Sequence, residues 1–93
     1  MSPGPLPALR IGYPHDGARF LVEPDRPLVQ QSIAVRVEAG EDVAKVRILV
    51  DGRVASSVAA PYVAWWQLAR GAHVLVAEAQ GVAASEPVRI EVE

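Results

Sequence analysis

The chain has no cysteine, no asparagine and no threonine, and Lys45 is its only lysine beside eight arginines. Without cysteine, disulfides and thiolate metal sites are excluded, although the compartment stays open. The missing asparagine and threonine and the preference for arginine read as codon bias in a GC-rich genome. Positive charge is not in excess: the net charge is −2 and the pI about 5.6. That argues against nucleic acid and against an anionic membrane surface, both of which draw on clustered lysine and arginine. No apolar run approaches the roughly 18 residues that span a bilayer, so direct membrane insertion is not expected. The start, Met1-Ser2-Pro3-Gly4-Pro5, has no basic n-region and no apolar h-region, so it does not read as a signal peptide. A chain this short is equally consistent with a piece of a longer secreted protein. Helical periodicity is also scarce. The best candidate, Val54 to Ala60, is short, β-branched at its ends and closed by Pro61.

What is present is strand alternation. The chain has 93 residues, 51% hydrophobic and 22% charged, which reads as one globular domain. In Ser32 to Glu38, Ile33, Val35 and Val37 point one way while Ser32, Arg36 and Glu38 point the other. Lys45 to Val50 repeats the pattern with Val46, Ile48 and Val50 inward, and Val88 to Val92 repeats it again. One apolar and one charged face fit antiparallel sheets covered on one side. Val74 to Ala77 is apolar on both faces and suits a central strand. Tyr62 to Leu68 reads as a strand, Val54 to Val58 as a weaker one. Leu9 to Ile11 and Arg19 to Val22 read as two pieces of a first strand, broken by Tyr13-Pro14-His15-Asp16-Gly17. Asp16-Gly17 and Asp51-Gly52 are turn pairs suited to positive φ. Ala39-Gly40-Glu41-Asp42, Arg70-Gly71 and Gln80-Gly81 supply further breaks. Turn signals roughly every 10 residues predict an all-β, immunoglobulin-like antiparallel β-sandwich of about seven strands over residues 9–93. Residues 1–8, with Pro3, Pro5 and Pro7, form an extended lead or linker.

Candidate chemistry is thin. His15, Asp16 and the serines Ser32, Ser56, Ser57 and Ser85 suggest a triad only on paper, because no G-x-S-x-G elbow exists to hold a nucleophile. His15 and His73 with Asp16 or Asp51 lack the spacing of a metal site. Asp51-Gly52 lacks the alternating acidic run of a calcium loop and reads as a hairpin turn. His73, just after Gly71, is expected to bond a neighbouring loop carbonyl. No catalytic, cofactor or metal site is expected. Trp65-Trp66 is the most informative pair, since adjacent residues on a strand face opposite ways. Tyr62 and Leu68 share parity with Trp66, which places Trp66 inward and leaves Trp65 on the outer face with Val63 and Gln67. An outward indole suits stacking on a sugar or a protein, or cover by a loop or sister domain.

Three motifs occur in order: Pro14-His15-Asp16-Gly17-Ala18-Arg19-Phe20, then Val50-Asp51-Gly52, then Trp66-Gln67-Leu68-Ala69-Arg70-Gly71-Ala72-His73-Val74-Leu75. Together they resemble the C-terminal domain of bifunctional class A penicillin-binding proteins, the 1C-type peptidoglycan synthases, over about residues 9–93. The resemblance implies an accessory domain in the periplasm or cell envelope, downstream of the catalytic domains. It also implies partners: those neighbouring catalytic domains, or a periplasmic α2-macroglobulin-like protein. No S-x-x-K, no K-T-G and no glycosyltransferase glutamate is present, so the chain itself is not expected to be an enzyme. From the residues alone the motifs have structural jobs. Asp16-Gly17 turns the broken first strand, Asp51-Gly52 closes a hairpin, Trp66 and Leu68 fill the core, and Phe20 is a further structural residue of the first motif. Gly71 permits the turn that returns His73 as a strand. The expected role is docking a protein partner or positioning catalytic domains. The alternative is a glycan- or peptidoglycan-binding module that uses Trp65, Gln67 and Val63.

Overall fold

The alternating segments pair into eight strands: β1 Leu9–Tyr13, β2 Ala18–Phe20, β3 Ser32–Ala39, β4 Val46–Val50, β5 Arg53–Val58, β6 Val63–Gln67, β7 Gly71–Glu78 and β8 Val88–Val92. The structure is a computed structural model and describes residues 9–40 and 43–93. The expected Pro-rich lead, and Glu41 and Asp42 of the turn after β3, lie outside the described residues. A 3-10 turn, Leu28–Gln30, is the helical element among those described, so the weak helix candidate at Val54 to Ala60 is strand β5 instead.

The strands form two sheets, β1-β3-β6 and β2-β8-β7-β4-β5. β7, apolar on both faces, is the central strand of the wider sheet, because there it has a partner on each side. The inward residues of the two sheets meet in an aliphatic core. Leu9, Ile11, Val35, Val37 and Ala64 come from one sheet; Val46, Ile48, Leu75, Ala77, Val88, Ile90 and Val92 come from the other. Each fully buried aliphatic side chain contributes about 1.5–3 kcal/mol over its exposed state. Phe20, Tyr62 and Trp66 pack against this core from its margins.

The two segments expected to form one first strand do not share a sheet. β1 pairs antiparallel with β3, whereas β2 pairs parallel with β8. Buried Pro14 and the turn through His15-Asp16-Gly17 carry the chain across the sandwich between them. The parallel run extends past β2, with Glu93 N–H donating to Phe20 O at 2.8 Å and Val22 N–H donating to Glu93 O at 2.7 Å. All other strand pairs are antiparallel. Val50, expected inward, packs against the core and is half-buried at the end of β4, beside the Asp51-Gly52 turn.

Candidate functional site

The motif residues converge on two corners. At the first, Gly17 adopts a φ of 87°, open to glycine without strain. Its N–H donates to Arg89 O at 2.7 Å, and the Asp16 carboxylate accepts from Arg89 N–H at 2.8 Å. Asp16 therefore ties the turn before β2 to β8. His15 is exposed and meets the Tyr13 ring edge-on at 6.1 Å; its neighbour's carboxylate is committed to the backbone rather than to the imidazole.

The second corner repeats the device. Asp51 and Gly52 both have positive φ, 53° and 84°, the geometry of a tight two-residue hairpin between β4 and β5. Asp51 Oδ1 accepts from Val74 N–H at 2.9 Å, and Asp51 Oδ2 lies 2.7 Å from His73 Nδ1. His73 Nε2 lies 2.8 Å from the carbonyl of Ala69. The ring packs edge-on against Trp66 at 5.0 Å. Gly71, φ 117°, makes the turn that allows a residue of β7 to face back on the loop before it.

A carboxylate and a carbonyl only accept hydrogen bonds. An imidazole held between them satisfies both only when both ring nitrogens carry protons. Burial lowers the His73 pKa, but the bond to Asp51, the backbone carbonyls of Ala69 and Arg70 and the charge of Asp51 outweigh it and raise it above the usual value near 6.5. The bonds from His73 and from the Val74 N–H, opposed by slight burial, hold Asp51 below its usual 3.8. Both shifts couple protonation to folding. The histidine's contribution to stability is complete below about 6.5 and is lost as pH rises through the raised folded value. The aspartate's contribution is present above 3.8 and is lost as pH falls through its depressed folded value. Asp51's side chain is 48% exposed, so solvent screening keeps the pair's worth small.

Side chains outside the motifs do similar work. Gln31, buried, accepts from Glu23 N–H at 2.8 Å and donates to Glu23 O and Arg26 O at 3.0 Å each. It fixes the loop between β2 and β3. The Ser85 hydroxyl accepts from Ala77 N–H at 2.8 Å and donates to Glu86 O at 3.2 Å, so both of its bonds are to main-chain groups. Tyr62 donates to Val43 O. No sequence motif signals these bonds.

No group of three or more histidine, cysteine or acidic side chains able to hold a metal occurs among the described residues. A surface groove of about 440 Å³ is lined by Arg10, His15, Asp16 and Glu86, among others. Trp66 is half-buried beneath His73, and Leu68 is buried. Trp65 is 70% exposed. It shares the outer face of β6 with half-buried Val63 and exposed Gln67, opposite Ala34, Arg36 and Ser32 of β3.

A model of the penicillin-binding protein C-terminus family matches residues 4–90. The chain belongs to that family. Its Asp-Gly turns and its Trp-x-Leu…Gly-x-His segment are the motifs whose bonds tie the sandwich corners together. No curated protein matches the chain. Among solved structures it is similar to the fibronectin(III)-like modules of Clostridium thermocellum CbhA, with a TM-score of 0.74 and 25% identity over 90% of this chain and 93% of that one. It is also similar to an engineered protein, with a TM-score of 0.63 and 20% identity over 95% of this chain but only 20% of the other. Both are likenesses of fold. An immunoglobulin-like sandwich of this family is consistent with a non-catalytic accessory domain of a penicillin-binding protein. The family suggests the cell envelope, and no helix among the described residues is long and apolar enough to cross a membrane.

Proposed function

We propose that this domain is a non-catalytic docking module of a periplasmic peptidoglycan synthase, holding a protein partner or positioning the catalytic domains of its parent. The observation that carries the reading is the contrast within the family-matched segment. Its polar motif residues Asp16, Asp51 and His73 are engaged in internal bonds, while the outer face of β6 presents Trp65 uncovered. An exposed tryptophan on a rigid strand is the kind of anchor that protein interfaces use. An α2-macroglobulin-like protein of the periplasm is the partner class implied by the family resemblance. The test is a parent synthase lacking this domain. Its transpeptidase and glycosyltransferase activities in isolation are expected to persist, while co-purification of the envelope partner is lost. Penicillin acylation or turnover by the isolated domain would sink the reading.

A second reading rests on the same indole. Trp65, opposite small Ala34 and beside Gln67, offers a flat apolar surface with an amide next to it, which suits a sugar ring. Sedimentation with purified cell wall decides it. Glycan binding is expected to vanish in Trp65→Ala, and equal retention of both proteins rejects the glycan reading.

A further inference from the structure

The sandwich has four strand edges, at β1, β6, β2 and β5, and three of them carry features that discourage pairing with another chain. β1 contains Arg10 and a register shift after Ile11. β2 is three residues long and carries Arg19, ion-paired to Glu91. β5 begins with Arg53 and is bulged opposite β4. Charges, bulges and shortness are the standard protections of an edge. β6, Val63-Ala64-Trp65-Trp66-Gln67, has none of them: no charge, no proline and an unbroken register with β3.

The phase of its hydrogen bonds decides what that edge presents. Val37 N–H donates to Tyr62 O, and Leu68 N–H donates to Gln31 O. Both pairs continue the β3–β6 register, in which Ile33 stands opposite Trp66 and Val35 opposite Ala64. Bonded and non-bonded pairs alternate in an antiparallel ladder. Ala64 and Trp66 therefore bond to β3, and Val63, Trp65 and Gln67 turn their N–H and C=O groups to the open side. The residues with the free backbone groups are the same ones whose side chains line the outer face. Among the described residues no other strand pairs with that side of β6.

We infer that β6 is a strand-addition site, and that its occupant is an extended segment of a partner polypeptide. The inference rests on the docking reading above and names the mode of docking. Main-chain bonds to Val63, Trp65 and Gln67 supply affinity, and alternate side chains of the segment pack on Trp65. The width of the sheets favours a single segment over a second folded copy. Three strands face five, and β5 adjoins β6 at the margin, with Ser56 and Val58 only half-buried. One added strand continues the narrow sheet over β5, whereas a whole sandwich arriving there meets β5 first. Charge narrows the segment further. Arg36 stands opposite Val63 on the outer face and has no carboxylate partner among the described ion pairs. A segment of alternating apolar residues with an acidic residue level with Val63 complements this surface.

The experiment uses the full chain and, as probe, an acetylated and amidated seven-residue peptide alternating valine and threonine with one glutamate. Saturable amide shifts are expected at Val63, Trp65 and Gln67. Hydrogen exchange at those amides slows about tenfold or more at saturation, with Ala64 and Trp66, already bonded to β3, little changed. Trp65→Pro removes an edge N–H that β3 does not use, and is expected to abolish the effect. Trp65→Lys, which changes only an outward side chain, is expected to weaken it at least about tenfold by losing the anchor and gatekeeping the edge. Shifts that map to β5, or an unchanged effect in both variants, overturn the inference. So do concentration-dependent shifts of the same amides without peptide, which make the occupant a second copy. A cell-wall oligosaccharide that moves the Trp65 indole while the peptide moves nothing also overturns it. If the parent synthase captures its partner regardless of Trp65→Pro, the docking reading stands and strand addition fails. If deleting the domain leaves capture unchanged, the docking reading itself fails.

Discussion

Trp65 and Trp66 are adjacent in sequence and opposite in circumstance. Trp66 lies half-buried under His73, in a corner where the strand histidine bonds a hairpin aspartate through one ring nitrogen and a loop carbonyl through the other. Trp65 lies on the outer face of an edge strand, 70% exposed, with its backbone groups turned away from β3. The first region stabilises the domain, because its polar groups are matched and its ring packs on the core. The second adds little to folding and faces solvent. One residue of offset separates the two roles, since side chains on a strand alternate faces.

Truncating each indole in turn separates the two regions most strongly. Trp66→Ala is expected to cost about 2–4 kcal/mol, below the full range for a completely buried tryptophan, as read by chemical denaturation. Trp65→Ala is expected to stay within about 0.5 kcal/mol of the parent; a larger loss would show that the outer face is structural after all. Between these extremes falls Asp51→Ala. It removes the acceptor for Val74 N–H and the partner of His73, for a loss of about 1–3 kcal/mol. Asp51→Asn, which keeps an acceptor for Val74, is expected to lose less. A smaller effect is the pH dependence. Stability is expected to fall as pH rises from about 6 to 9, by less than about 1 kcal/mol given the exposure of Asp51. His73→Gln is expected to flatten that slope, and an unchanged slope would place the titrating group elsewhere. Heat-denaturation midpoints across this range, for both proteins, make the measurement.

The strand segments were legible in the chain because one-sided burial imposes a period of two. Ile33-Ala34-Val35-Arg36-Val37, for example, has no other way to hide its aliphatic side chains. The turns at Asp16-Gly17 and Asp51-Gly52 were legible because few residues tolerate positive φ. The outward direction of Trp65 followed from its opposite parity to Tyr62, Trp66 and Leu68. The partners of those same residues were not legible. Nothing near Asp16 in sequence points to Arg89, and nothing near Asp51 points to His73, since these bonds join residues 73 and 22 positions apart. Gln31 and Ser85 look like ordinary surface polar residues until the fold closes over them.

Alternation and turn chemistry are thus enough to specify a small β-sandwich, because local sterics and one-sided burial act over a few residues at a time. Which sheet each strand joins was decided only by the tertiary structure. β1 and β2 look like halves of one strand, yet they cross to opposite sheets, because each pairs with whichever distant strand the closed core sets beside it. The same closure leaves β6 at an edge. An open row of N–H and C=O groups is a property of neighbours, and a strand's own sequence does not record which neighbour it lacks.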